Sequence, residues 1–538
     1  MLLAPPSMPK TRIADASTAN MVKRPSGGAS PSLLTALTIA VHPTADRVGE
    51  RLVLAALAAG KEVELSRNGP DFVKPGSLLG SPLGDPFVSR KPIRLSPRKD
   101  GGARLVVEEG GTAVVVGGKE LGTLEITAAE LAAGVPIELA DRVLLVLHQV
   151  SAEAERGVDH LGMVGHSSGI RQVREHIERV ADLDVSVLIR GETGTGKELV
   201  ARAIHDRSKR KSGPFVSVNL GAVPRELAAA ELFGAQRGAF TGATRDREGY
   251  FGAARGGTLF LDEVGEASPE VQSMLLRVLE TGEMYPVGGQ TPVATEVRLI
   301  AATDANLEEH IKEGRFKAPL LHRLGGYEIR LPKLSERRED IGILFHHFAR
   351  EELSAIGELH RLSPEDPHAE AWLPASVAAR LVRFAWPGNI RQLRNMTRQL
   401  VIGSRGGAQI ALDPRMAEEL DGGAAKPVSS RRSEQDSGVK LRRKPAEITE
   451  AEMLAALREG AWDMKAAADR LGIPRSSIYD VIDRCPSIRT AGDLRAEEIE
   501  RCFQECSGDI DAMVQRLCVS GRALKRRIKE LGLGVKRA

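Results

Sequence analysis

The stretch Gly191-Glu192-Thr193-Gly194-Thr195-Gly196-Lys197 follows an apolar run at 185–189 and opens an amphipathic segment that starts at Glu198. It fits G-x-x-x-x-G-K in the strand, turn and helix setting that a phosphate-binding loop requires. The glycines permit the tight turn and let backbone N–H groups face phosphate oxygens at the start of a helix, where the helix dipole also favours negative charge. Lys197 supplies a positive charge for the β- and γ-phosphates. Residues 191–198 are therefore candidate nucleotide contacts. Glu198 stands where the general pattern has Ser or Thr to ligate magnesium, so the metal must depend more on other groups.

Those groups follow downstream. Gly257-Thr258-Leu259-Phe260-Leu261-Asp262-Glu263 is an apolar run ending in two carboxylates. At a strand end beside a phosphate loop, Asp262 is placed to hold magnesium directly or through water, and Glu263 to orient and polarise an attacking water. The pair predicts hydrolysis of ATP with Mg2+. Apolar runs at 185–189, 215–218, 258–261 and 297–301 alternate with helical patterns, the rhythm of a parallel α/β sheet over 161–330. Past Leu331 the strands stop, and a helical appendage is expected over 331–403.

The rest of the chain divides by composition. Residues 1–33 are rich in Pro, Ser, Ala and Gly without apolar period and read as a disordered tail. Short strand-like runs at 37–41, 63–66, 103–107, 113–116 and 143–148, separated by turn residues, predict a β-sandwich over 34–150. A polar joint, 151–160, leads into the α/β region, and a second linker is expected at 404–448. Residues 449–538 contain an internal repeat at an offset of 46, which lays Asp463-Met464 over Asp509-Ile510 and Arg470-Leu471 over Arg516-Leu517. Each copy reads as helix, short turn and helix, so tandem helix-turn-helix units are expected. The fold class is thus multidomain: a β-sandwich, a central α/β P-loop domain with a helical lid, and an all-α end.

Charge and cysteine usage add bounds. Lys+Arg 75 against Asp+Glu 72 leaves +3 over 538 residues, so any nucleic-acid footprint must be local. No run reaches the ~18 consecutive apolar residues of a membrane span. A cytoplasmic protein without a membrane partner is the expectation. Cys502 and Cys506 would share a helix face, but without histidine or a CxxC pair they read as small apolar residues rather than metal ligands.

The string Gly238-Ala239-Phe240-Thr241-Gly242-Ala243, shortly after Glu231-Leu232-Phe233-Gly234, resembles the central AAA+ domain of sigma-54-dependent transcriptional activators. The resemblance runs from about Leu161 to Gly403 and resumes at the C-terminal end. It implies a loop at 238–243 that contacts sigma-54 under control of ATP hydrolysis, and a homo-oligomeric ring of six or seven subunits. Glycines at both ends suit a swinging loop, and Phe240 offers a large apolar contact. By the same resemblance, Asn219 is the switch partner of Glu263, Thr303 belongs to sensor I, Arg323 is the finger reaching a neighbour's nucleotide, and Arg391 is the lid's sensor II. Four positions depart from the family: Asp304 replaces Asn, Lys317 replaces a second arginine, Pro319 replaces an acid, and Gln392 replaces the commoner Glu.

The first helix-turn-helix resembles the family's Fis-type unit, with Arg475, Ser476, Ser477 and Tyr479 as candidate readers of double-stranded DNA upstream of promoters. The second offers Arg522, Lys525 and Arg526 within a tip carrying seven Lys/Arg against one acid from Gly521 onward. The N-terminal sandwich resembles a forkhead-associated (FHA) domain, with Leu65-Ser66-Arg67 and Ser89-Arg90 where such domains contact a phosphothreonine protein. Its usual histidine is absent, and Gly117-Gly118 replaces Asn-Gly. The function these parts imply is ATP-driven remodelling of sigma-54 RNA polymerase from closed to open promoter complex. The competing reading is an ATP-controlled oligomeric DNA-binding regulator that leaves sigma-54 untouched.

Overall fold

In a computed structural model, the described residues are 33–151, 160–239, 245–422, 448–459, 462, 464–471, 478, 481, 484, 494–506 and 509–531. The tail at 1–32, most of the joint at 151–160 and the linker residues 423–447 lie outside them.

The N-terminal domain is built on two long strands, Leu33–Val41 and Val143–Ser151, paired antiparallel with Leu37 opposite Leu147 and Ile39 opposite Leu145. They sit centrally in an eight-stranded sheet that faces a four-stranded one. Alternation decides what each strand face covers. Leu37, Ile39, Leu145 and Leu147 point into the sandwich core with Phe72, Leu95 and Leu105. Ala40, Val41, Leu144 and Val146 point the other way, into a second core made with Leu344, Phe345, Leu381 and Val382 of the lid. A strand apolar on both faces is buried on both faces. The expected sandwich is present, and its larger sheet also forms one wall of the lid's core. At the closest point the backbones nearly touch: a Cβ at Gly342 would fall 2.2 Å from the Ala40 carbonyl oxygen.

The central sheet has five parallel strands in the order Phe215–Asn219, Thr258–Asp262, Arg298–Thr303, Val187–Arg190, Tyr327–Arg330. Again neighbours divide between two faces. Val187, Ile189 and Ile300 pack with helices Ser168–Val180 and Lys197–Asp206, while Leu188, Leu259 and Ala301 pack with Arg225–Phe233 and Pro269–Thr281. The helices are locally specified: Ser268 caps the N-terminus of Pro269–Thr281, with Pro269 in its first turn and Gly282 left-handed after its end. The strands extend one or two residues past the expected runs, to Asn219, Asp262 and Thr303. The edge strand Tyr327–Arg330 has no counterpart among those runs.

The lid comprises helices Ile341–Ala355, Ala375–Arg383, Asn389–Gly403 and Pro414–Gly422. The last lies inside the stretch expected to be linker. Ile410 and Leu420 are buried in the lid core, so packing continues well past Gly403.

The C-terminal unit has its own core, including Met453, Leu457, Met513 and Leu524. Helices Glu450–Glu459 and Met464–Leu471 recur as Ala496–Glu505 and Ile510–Leu517, each displaced by the 46 residues of the sequence repeat. Cys502 and Cys506 do share a face, their sulfurs 3.9 Å apart.

Candidate active site

The phosphate loop links strand Val187–Arg190 to helix Lys197–Asp206, with Gly194 at φ +79° and Gly196 at φ +101°. Both angles favour glycine over any residue with a side chain. The Thr195 hydroxyl donates to the Glu192 carbonyl at 2.7 Å, tightening the turn, and Lys197 Nζ donates to the Gly191 carbonyl at 2.9 Å. A cavity of roughly 520 Å³ opens above the loop, lined by Thr193, Gly194, Gly196, Lys197 and Glu198, and closed by Asn219, Asp262, Glu263 and Arg391. Loop, strand-end acids, Asn219 and the lid's Arg391 thus meet in one place.

Parallel pairing explains how the acids arrive. Asn219 pairs in register with Asp262, so both end beside the loop. Asp262 Oδ1 accepts the Glu263 N–H at 3.0 Å, and Glu263 takes a left-handed conformation, φ +57°. A Cβ at Gly221 would fall 2.1 Å from Glu263 Oε2 and 3.2 Å from Asn219 Oδ1. The bare glycine therefore makes room where the Glu263 carboxylate and the Asn219 amide converge. Chemically, this is a cationic loop for phosphates facing two strand-end acids, and beside the second acid lies the Asn219 amide, whose oxygen accepts the Ala222 N–H at 3.2 Å.

Thr303 ends the neighbouring strand, buried; its carbonyl accepts the Gly191 N–H at 3.2 Å and its hydroxyl accepts from Ala305 N. Asp304 accepts a hydrogen bond from the Thr193 hydroxyl. The carboxylate that replaces the family's asparagine is therefore directed to a hydroxyl of the phosphate loop.

Arg323 is on helix Ala318–Leu324, half-exposed, its Nε 3.7 Å from Glu280 Oε1, and it is not among the residues that line the cavity. Lys317 sits at the N-terminus of that helix; its N–H donates to the buried Gln272 amide oxygen at 2.9 Å and its Nζ to Ser273 Oγ at 2.5 Å. Here the lysine anchors its own helix, and Pro319 suits the helix's first turn.

Of the loop at 238–243, Gly238 and Ala239 are described; Phe240, Thr241, Gly242 and Ala243 lie outside the described residues. Its base is held firmly. Ala235 and Arg247 exchange backbone hydrogen bonds, Arg237 N donates to Asp246 at 2.8 Å, and Arg247 pairs with Glu231 at 2.6 Å. Gly288, in the turn after strand Glu283–Met284, approaches Ala239 so closely that a Cβ there would lie 2.8 Å from the alanine's own.

A sigma-54 interaction domain matches residues 163–330, and an AAA+ ATPase lid domain matches 335–415. The transcriptional regulator NtrC of Azospirillum brasilense is 37% identical over 386 residues, 72% of this chain and 73% of that protein. The chain belongs to the sigma-54-dependent transcriptional activators. NtrC of Salmonella typhimurium is 44% identical over 280 residues, 50% of this chain and 57% of its own. Among solved structures, NtrX from Brucella abortus in complex with ADP aligns at 30% identity and TM-score 0.43, covering 69% of this chain and 70% of that one. The activator drives sigma-54-dependent transcription by ATP hydrolysis.

Several residues of the activator's site escaped the sequence. Leu199 and Arg202 of the helix that Lys197 opens also line the cavity, and Arg202 stacks over Phe215 at 4.4 Å. Gly221 has no motif of its own. The four-residue helical spacing from Glu198 could have flagged Arg202; nothing local marks Gly221. Of the activator's expected DNA contacts, Arg475, Ser476, Ser477, Tyr479 and the side chain of Arg522 lie outside the described residues, while Lys525 and Arg526 are exposed on helix Gly521–Glu530.

Proposed function

We propose that ATP turnover at Glu263 moves the loop at 238–243 against sigma-54 and so carries RNA polymerase from closed to open promoter complex. The observation that carries this reading is the convergence of Glu263 and Asn219 at Gly221. The strand bearing Asn219 continues into helix Arg225–Phe233, whose end leads directly into the braced loop base at Ala235. A change at the γ-phosphate that switches Asn219 between partners thus has a short, packed route to Gly238.

Mg2+ bound at Asp262 would supply charge neutralisation of the transferred phosphate. Arg323, exposed and outside its own cavity, serves the nucleotide of a neighbouring subunit, so hydrolysis requires a ring, hexameric or heptameric. The helices of the C-terminal unit bind upstream DNA, with Lys525 and Arg526 on phosphates. The N-terminal domain reads a phosphothreonine protein: Arg67 N donates to the Ser89 carbonyl at 3.1 Å, which supports a shared loop surface for Arg67, Ser89 and Arg90.

The test is capture of sigma-54 by the full chain in ADP with aluminium fluoride, a transition-state mimic. Wild type is expected to retain sigma-54, and Thr241→Ala to lose it while still binding nucleotide. Equal capture by both would remove the loop from the mechanism.

A further inference from the structure

A phosphate loop that turns its N–H groups toward the nucleotide turns its carbonyls away from it, and those carbonyls need donors from elsewhere. In this chain Thr195 and Lys197 serve Glu192 and Gly191, and the lid serves Thr193 and Gly194. Asn389, fully buried at the start of helix Asn389–Gly403, donates from Nδ2 to the Thr193 carbonyl at 3.2 Å and to Glu192 Oε2 at 3.1 Å. The Ile390 N–H donates to the Gly194 carbonyl at 3.0 Å. On its other side Asn389 Oδ1 accepts the Leu334 N–H at 2.8 Å, where the chain enters the lid. The Glu192 carboxylate is gripped a second time by Lys333 Nζ at 2.8 Å.

The fit leaves little freedom. Both Nδ2 hydrogens and the amide oxygen of Asn389 are used. Its backbone is left-handed, φ +49°, a conformation asparagine tolerates better than most residues. Gly194 must be glycine for the same approach: a Cβ there would fall 2.4 Å from the Gly388 carbonyl oxygen. Asn389 is not among the residues lining the nucleotide cavity, so it acts through the loop.

We propose that Asn389 is a positioning residue for ATP turnover: by tying Glu192 and Thr193 to Leu334, it holds the phosphate loop in its binding shape and makes that shape depend on where the lid sits. Movement of the lid then loosens the loop, and occupation of the loop fixes the lid.

The experiment measures the dissociation constant of a fluorescent ATP analogue, with ATPase KM and kcat, on the full chain. Asn389→Asp keeps the shape, the left-handed tolerance and the acceptor for Leu334, but removes both donors and sets a carboxylate against Glu192. Nucleotide affinity is expected to fall about tenfold or more, the scale of one lost charge-assisted hydrogen bond. Adding Glu192→Gln restores a donor to the pair, and affinity is expected to recover most of that loss. Asn389→Gly, which accepts the same backbone angle, is the second variant and is expected to weaken binding similarly without rescue by Glu192→Gln. Unchanged affinity in either variant overturns the proposal. So does a loss in Asn389→Asp that Glu192→Gln leaves untouched, since a merely structural defect would behave that way. A wild type that bound no nucleotide would instead contradict the ATPase assignment on which the proposal rests.

Discussion

Asp141 of the N-terminal domain caps a helix of the lid: its carboxylate accepts the backbone N–H of Ser376 at 2.7 Å, and its carbonyl accepts that of Ala375 at 3.1 Å. The helix Ala375–Arg383 is preceded by Pro374 and has no side-chain cap of its own, so a second domain satisfies its free N–H groups and places a negative charge at its positive end. Next to it, Arg142 donates to the carbonyls of Pro367 and Ala369 at 2.8 and 2.6 Å and pairs with Asp85 at 3.0 Å. Asp141→Ala is expected to cost about 1 kcal/mol, as for loss of a helix cap. Deleting residues 1–151 is expected to do far more, because it uncovers Leu344, Phe345, Leu381 and Val382. Thermal melting of the two proteins checks this; a truncated chain that melts with wild type would show that the shared core contributes nothing.

The same junction carries a pH signature. Glu339 is buried between the lid and strand Val143–Ser151, near His148, Arg51, Arg337 and Asp340, and burial together with the Asp340 charge pushes its carboxyl up to about 7. A carboxyl whose folded pKa is raised binds more protons folded than unfolded, so stability falls as pH climbs from its ordinary value toward 7. Burial lowers the nearby His148 to about 3, which has the opposite slope below its ordinary value. Comparing wild type with Glu339→Gln isolates the first effect. The variant's stability relative to wild type, followed by thermal melting, is expected to rise between pH 5 and pH 8, by an amount on the order of 1–3 kcal/mol at the upper end. A difference that does not change with pH would contradict the assignment.

Arg323 and Glu263 belong to different catalytic centres if the finger acts between subunits. Arg323→Ala and Glu263→Gln are each expected to lower ATPase activity at least about a hundredfold, the scale of losing a charge-stabilising or water-orienting group. Mixed together they are expected to regain part of it, since one brings an intact acid and the other an intact finger. Steady-state ATPase across mixing ratios reads this directly. No recovery at any ratio, with mixed rings verified by cross-linking, would place Arg323 in its own subunit's site.

How much of this was legible in the sequence depended on how local the requirement was. The phosphate loop declares itself because its glycines and Lys197 serve a backbone geometry confined to a few residues, and Asp262-Glu263 because a strand end fixes where they go. The 46-residue repeat was equally legible, since each helix keeps its apolar spacing. Short strands such as Phe72–Val73 and Lys119–Glu120 hold no measurable alternation and were invisible. The helix Pro414–Gly422 was hidden because only a few apolar residues, Leu420 chief among them, anchor it within a polar stretch. Asn389 and Glu192 are 197 positions apart, and only the lid's docking brings them together. The run at 143–148 was readable as a strand, but its burial on both faces was not, because the second surface belongs to the lid, far along the chain.

The measurement that tests the central claim most directly is open-complex formation by sigma-54 polymerase on a supercoiled promoter carrying an upstream site for this activator. Wild type, Thr241→Ala and Glu263→Gln are compared with ATP present. Wild type is expected to open the promoter and both variants to fail, Thr241→Ala while still hydrolysing ATP and Glu263→Gln while still binding it. A DNA-bound wild type that hydrolyses ATP but yields no open complex, or a Thr241→Ala variant that opens the promoter as well as wild type, would contradict the account.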